Sequence, residues 1–173
     1  MDASKNNGYK NVLVVVDVFS RFAWAIPMES KTTEAVVEAF EGILRGGRKP
    51  AEVDTVGGLE FGARFTSILE GKKIAHKKRL PSQPNGLAVV DAVIKRLKET
   101  LVKDLAEEGT QDWIKFLRGA IKAHNSNSHE HLMGNSPDDV GKNARSSALP
   151  REAGGTRCGA QFRSARGSRG RPP

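Results

Sequence analysis

The chain has 173 residues, 38% of them hydrophobic, which is enough for one domain with a proper core. No apolar run reaches the roughly 18 residues of a membrane span, and Met1-Asp2-Ala3-Ser4-Lys5 lacks the apolar stretch of a secretory signal. A single cysteine, Cys158, rules out an internal disulfide and fits a reducing, intracellular compartment.

The net charge of +8 is unevenly distributed. Residues 141–173 carry Lys142, Arg145, Arg151, Arg157, Arg163, Arg166, Arg169 and Arg171 against one acid, Glu152. That tail is therefore +7, which leaves residues 1–140 at +1. Any affinity of residues 1–140 for nucleic acid must come from local patches. The tail, with six glycines and no apolar period, is expected to be a disordered arm able to add sequence-independent phosphate contacts. Its abrupt change of composition also resembles out-of-frame translation of GC-rich DNA.

Along the chain, Val12-Leu13-Val14-Val15-Val16 reads as a central strand buried on both faces. Ser20-Arg21 make a turn into a second, antiparallel strand, Phe22–Ile26. Pro27 ends that strand or begins a third short one. Thr32 or Thr33 can cap a helix with Glu34 in its first turn and Ala35, Val36, Ala39, Phe40, Ile43 and Leu44 at helical spacing. Gly46-Gly47 stop it. A short strand follows at Ala51–Thr55, then a Gly57-Gly58 loop and a helix carrying Phe61, Phe65, Ile68 and Leu69, closed by Gly71. Lys73–His76 suggest another strand and Lys77–Pro84 a basic loop. From Leu87 the spacing of Val90, Val93, Ile94, Leu97, Leu101 and Leu105 is helical, and Asp112–His124 reads as a last helix. Strands alternating with helices in this order indicate an α/β domain, a mixed sheet flanked by helices.

Two acids stand out. Asp17 follows the apolar strand at its C-terminal end, the edge where open α/β sheets bind ligands; alone it is equally an ordinary turn residue. Asp91 lies one turn into an otherwise apolar helical stretch, where a helix dipole also favours an acid. Neither is decisive by itself.

Three stretches change the reading: Tyr9-Lys10-Asn11-Val12-Leu13-Val14-Val15-Val16-Asp17-Val18-Phe19-Ser20-Arg21-Phe22, Thr55-Val56-Gly57-Gly58-Leu59-Glu60-Phe61, and Pro84-Asn85-Gly86 with Asp91. They are followed by His124-Asn125, His129 and Ser136-Pro137-Asp138-Asp139-Val140. In this order they resemble the integrase catalytic core of retroviruses and retrotransposons, over residues 9–140, about three quarters of the chain. The resemblance implies a ribonuclease H-like fold, with residues 1–8 as a lead and 141–173 as a basic tail. It further implies a lineage of DNA integration by divalent-metal-dependent strand transfer, with Mg²⁺ or Mn²⁺ as cofactor, DNA as partner and a homodimer as assembly.

By motif match, Asp17 takes the first metal-binding carboxylate of that family and Asp91 the third, with Asp in place of the usual Glu. Val56 stands where the family has the second Asp. Val56 to Asp91 is 35 positions, the separation the resemblance calls for, so no insertion or deletion accounts for the loss. In-line attack on a phosphodiester needs hard oxygen ligands around two cations, and valine offers no lone pair. The sequence thus predicts a degenerate active site: an integrase-like nucleic-acid-binding domain whose strand transfer is lost. Substitution by Asp54, on the same strand face about 6–7 Å away, or by Glu60, would keep an active enzyme.

Other candidates are weaker. His124, His129, His131 and Cys158 fit no common zinc spacing. Gly57-Gly58 lack a following Gly-Lys-Ser/Thr, which speaks against nucleoside triphosphate binding. Asn125 and His129 match a family segment in which they look structural. Lys72, Lys73, Lys77, Lys78 and Arg79, together with Lys95 and Lys98 on the long helix, are the candidate DNA-contacting cations, with Arg96 and Lys103 nearby. Trp24 and Trp113 sit within apolar patterns and are expected in the core.

Overall fold

The computed structural model describes residues 6–79, 87–146 and 157–164, with backbone alone beyond residue 142. Strand β1, Asn11–Asp17, is the expected apolar run, and Leu13, Val14, Val15 and Val16 are 0–3% exposed. It turns back through Arg21, at φ 60°, into β2, Ala23–Met28, pairing antiparallel with Val12 opposite Pro27. The strand runs through the proline to Met28, and no third strand follows it before the next helix. Proline is tolerated because β2 lies at the edge of the sheet.

Helix α1, Thr33–Arg45, starts where the Thr32 hydroxyl accepts the Ala35 amide at 3.3 Å and stops at Gly46-Gly47. Strand β3, Glu52–Val56, leads through a 3₁₀ turn at Leu59–Phe61 into α2, Ala63–Gly71, and then β4, Ala75–Arg79, parallel to β3. Lys77, Lys78 and Arg79 were expected in a loop and are instead in this strand. As an edge strand with little burial, β4 places charges in solvent at no cost to the core. The rest of that expected loop, residues 80–84, and Asn85-Gly86 lie outside the described residues.

Helices α3, Ala88–Glu107, α4, Trp113–Ser126, and α5, Pro137–Ser146, complete the order. Alternation along β1 distributes them. Leu13 and Val15 pack with Val36 and Phe40 of α1 and Phe65 and Leu69 of α2. Val14 and Val16 pack on the other face with Val90, Val93, Ile94 and Leu97 of α3 and Ala120 of α4. Asn125 fastens α4 to β2: its Oδ1 accepts the Ala23 amide and its Nδ2 donates to the Ala23 carbonyl, both at 2.9 Å. Trp113 is 1% exposed and Trp24 is partly buried against the core, so both side chains sit in apolar packing.

The tail departs from expectation. Helix α5 runs past residue 140, and Arg157–Ser164 forms a fifth strand, β5, in the sheet order β2-β1-β5-β3-β4. It pairs antiparallel with β1 and parallel with β3. Composition did not signal it because a strand held by ladders on both sides draws on its neighbours rather than on its own propensity. The remaining tail residues lie outside the described ones.

Since β1 and β3 meet only through β5, a chain ending at Ser146 exposes both of their facing edges. Each net backbone hydrogen bond contributes about 0.5–1.5 kcal/mol, so the loss should be comparable with total stability, about 5–15 kcal/mol. Urea unfolding followed by circular dichroism is expected to show no cooperative transition in the truncated chain. An unchanged midpoint would remove β5 from the fold.

Candidate active site

Val56 ends β3 and is partly buried, packing against both apolar clusters. Leu87 and Val90, in the first turn of α3, belong to one of those clusters, and Asp91, half-exposed, stands in that turn with its amide bonded to the Leu87 carbonyl at 2.9 Å. Ala88 and Ala92, on either side of Asp91, line a cleft with Arg21 of the hairpin turn, so the start of α3 lies on the β1 side of the sheet.

Asp17 is not beside Val56. Asp17 pairs with Cys158, and Cys158 pairs with Val53, so the carboxylate is level with the start of β3 rather than its end. Three residues along and two strands across place Asp17 and Val56 on the order of 14 Å apart, whereas ligands sharing a Mg²⁺ each lie about 2.0–2.1 Å from it. The reason is strand direction. β1 runs antiparallel to β5 and hence to β3, so their C-terminal ends lie at opposite edges. The carboxylate shapes the hairpin turn: Oδ1 accepts the Phe19 amide at 3.0 Å and Oδ2 the Ser20 hydroxyl at 2.9 Å. Arg48 stands 3.8 Å from Oδ2, lies 4.0 Å over the Phe22 ring, and donates to Ser20 Oγ at 3.4 Å. Sequence reading missed Arg48, which is 31 positions from Asp17 and in no motif.

The two substitute ligands are also committed. Asp54 is buried and its Oδ2 is 3.0 Å from Arg79 Nη2, a bond that raises the Arg79 pKa further above its ordinary value. Glu60 folds back over Gly58, where its carboxylate occupies the space a Cβ would need. On the neighbouring strand the residue paired with Thr55, beside Val56, is Ala160, and β5 contains no acid. Among the described residues no three of His, Cys, Asp and Glu group as a metal site. The described residues thus bring together no donor set for a pair of divalent cations.

No protein-family model matches the chain. It is 30% identical over 116 residues to the Gag-Pol polyprotein of Avian reticuloendotheliosis virus, which covers 66% of this chain and 10% of the polyprotein. It is equally identical over 116 residues to the Pol polyprotein of Radiation murine leukemia virus (strain Kaplan), with 66% and 20% covered. The chain thus spans a small part of the curated relatives it matches. Among solved structures, the simian T-cell lymphotropic virus intasome in complex with PP2A regulatory subunit B56 gamma superposes with TM-score 0.73 at 19% identity, over 86% of this chain and 54% of that one. The HTLV-2 integrase catalytic core domain in complex with magnesium, trimeric form, gives 0.64 at 21% over 76% and 85%. The BIV integrase catalytic core gives 0.65 at 16% over 79% and 91%. The chain is thus similar in sequence to a part of retroviral polyproteins and in fold to retroviral integrase catalytic cores. Its fold is ribonuclease H-like, as the motifs implied.

The candidate DNA-contacting cations divide into two groups. Lys72 pairs with Glu41 at 2.9 Å and lowers its pKa chiefly by hydrogen bonding; Lys77 pairs with Glu52, and Arg79 with Asp54. Lys73, Lys78, Lys95 and Lys98 make no ion pair among the described residues. Lys78, Lys95 and Lys98 are exposed. No described helix is long and apolar enough to cross a membrane.

Two histidines, the half-buried His76 and the buried His124, have structural roles. His76 bridges the Thr55 hydroxyl at 2.9 Å and the Thr66 hydroxyl at 2.7 Å; burial, then Lys78, lowers its pKa, opposed by Asp54. His124 lies against the Arg21 carbonyl at 3.0 Å, and burial lowers its pKa despite that bond. A lowered imidazole pKa stabilises the fold above the ordinary 6.5, and that contribution is lost as pH falls below it. Imidazole NMR titration is expected to place both midpoints below 6.5; a midpoint above that value would contradict their burial as neutral rings.

The turn-forming role of Asp17 predicts that Asp17→Ala costs about 1–3 kcal/mol of stability by leaving its partners unsatisfied. Urea unfolding with and without Mg²⁺ checks this, and the loss should be the same in both. A Mg²⁺-dependent stabilisation that disappears in Asp17→Ala would return Asp17 to a metal site.

Proposed function

We propose that this domain binds DNA and has lost the divalent-metal-dependent strand transfer of its lineage. The observation that carries the reading is Val56: an apolar, partly buried side chain at the end of β3, where the motif calls for a carboxylate. Strand transfer requires cations held about 3.5–4 Å apart by several shared oxygens. Asp91 alone supplies too few, and Asp17, which the motif offered as the first ligand, belongs to the hairpin turn at the other edge. Magnesium is bound by the HTLV-2 core that this domain resembles; here the same chemistry lacks its ligand set.

DNA binding makes smaller demands. The exposed lysines of β4 and α3 carry charge without acidic partners among the described residues, and phosphate contacts of this kind need no fixed geometry. Lys78, Lys95 and Lys98, with Lys73, are the residues assigned to it. An assembly of two or more copies, as in the dimeric and trimeric HTLV-2 cores, would place several such faces on one duplex.

Two assays test the proposal. With two to four phosphates neutralised, log-log salt dependence of duplex binding should have a slope of about −2 to −4, and Lys95→Glu with Lys98→Glu should flatten it. Unchanged binding in that variant would refute the assigned face. In a strand-transfer assay with Mg²⁺ or Mn²⁺ the chain is expected to give no product, and Val56→Asp is expected to gain divalent-cation affinity by calorimetry. Robust product from the unaltered chain would overturn the loss of chemistry.

A further inference from the structure

The end of α4 meets the β1–β2 turn through two adjacent side chains of different chemistry. Asn125 bonds twice to the Ala23 backbone and carries no titratable group. His124 donates from Nε2 to the Arg21 carbonyl at 3.0 Å. A carbonyl only accepts, so Nε2 carries the hydrogen and Nδ1 the lone pair of a neutral ring. The residue is 5% exposed, and Nδ1 is closed off from solvent with no protein partner. Arg21 receives this bond at φ 60°, in the left-handed region that a residue with a side chain seldom occupies.

His124 also anchors the loop that follows α4. The His129 ring stands edge-on to it with centroids 4.8 Å apart, and His129 Nε2 donates to the His124 carbonyl at 3.1 Å. Arg96 Nη1 reaches the His129 ring from α3 at 3.4 Å. The charged and titratable side chains lining the cleft between turn, helix and loop are Arg21, Arg96, His124, His129 and His131; no carboxylate lines it. A proton on His124 Nδ1 would therefore add a second donor with no acceptor, in a place that water does not reach and no acid balances. An opposing charge, an acceptor or water is what normally relieves a buried cation, and the ring finds them only by swinging outward. Burial accordingly holds the His124 imidazole below its ordinary range, against the pull of the Arg21 carbonyl, and the charges of His129 and Arg96 add to the effect.

We propose that His124 is a proton-released latch: neutral, it ties the β1–β2 turn to the loop after α4, and protonated, it frees both while the sheet stays folded. The uncharged Asn125 keeps α4 on β2 throughout. His76 is not a second latch, because its partners are two hydroxyls, and a hydroxyl can turn to accept from a charged ring. A ring whose pKa in the closed form lies below 6.5 stabilises that form fully above 6.5 and loses the contribution as pH falls below it. Between 6.5 and the closed-form pKa, opening gains about tenfold per pH unit, the linkage of one proton.

Amide hydrogen exchange in the full chain, corrected for its intrinsic pH dependence, tests the latch. The reporters are the amides of Arg21 in the turn and of His129 and Gly134 in the loop, which bond to the Asp17, Asn135 and His129 carbonyls. From pH of about 7.5 to about 5 their protection is expected to fall by about tenfold or more, while the amides of Leu13 to Val16 keep theirs. His124→Gln holds an amide donor near the Arg21 carbonyl but takes up no proton, so it should remove this pH dependence. If that variant does not fold, the unaltered chain still decides, because the exchange midpoint must follow the His124 imidazole titration by NMR. Protection lost equally along β1, protection unchanged at acid pH, pH-dependent opening that persists in His124→Gln, or a midpoint that departs from the His124 titration each overturns the proposal.

Discussion

Strand β1 is buried on both faces, and the rest of the molecule is arranged by that requirement. A run of β-branched residues with no polar side to turn toward water must be covered twice. Leu13 and Val15 draw α1 and α2 onto one face, and Val14 and Val16 draw α3 and α4 onto the other. The second of these contacts sets the first turn of α3, and with it Asp91, over the β1 side of the sheet. The same part of the helix, from Ala88 to Arg96, supplies one wall of the cleft that faces Arg21 and His124. Asn125, bonded twice to Ala23, prevents α4 from sliding along the sheet and so holds His124 against the turn.

Periodicity made much of this legible. The apolar run of β1, the capped α1 and the apolar seam of α3 each have a signal in the period of their own side chains. What periodicity does not carry is the direction of one strand relative to another. Asp17 at a strand end and Val56 at a strand end look alike in sequence, and only the ladder shows that the two ends belong to opposite edges. The charged end of β4, Lys77–Arg79, and the polar β5 were missed for a related reason. Both are strands by virtue of their partners, one at an exposed edge and one between two neighbours, and neither has a pattern of its own. Arg21, Arg96 and His124 meet across more than a hundred positions of chain, a separation at which spacing offers no clue.

The acids that sequence offers as metal ligands share a second property in the fold. Asp17 shapes a turn, Asp54 neutralises Arg79, and Glu60 folds over Gly58. Each is engaged in a way that would be broken by recruiting it to a cation. The buried Asp54 carboxylate is particularly unavailable, since withdrawing it from Arg79 would leave it uncompensated. Among the described residues, none of these acids stands ready to substitute at the Val56 position. Replacing one ligand by an apolar residue is not repaired by the presence of acids elsewhere on the surface.

Binding and chemistry differ in how they fail. A two-cation centre needs several oxygens placed within tenths of an ångström, so one side chain decides it. Attraction to phosphates acts over a Debye length of about 8 Å at physiological salt, and several lysines contribute to it independently. Residues 1–140 are near neutral in sum, yet among the described residues Lys72, Lys77 and Arg79 pair with acids while Lys78, Lys95 and Lys98 are exposed without such a pair, which leaves local positive charge on β4 and α3. Valine at position 56 touches none of these lysines and packs against both apolar clusters, so the residue that stands where the motif calls for a carboxylate serves the core instead.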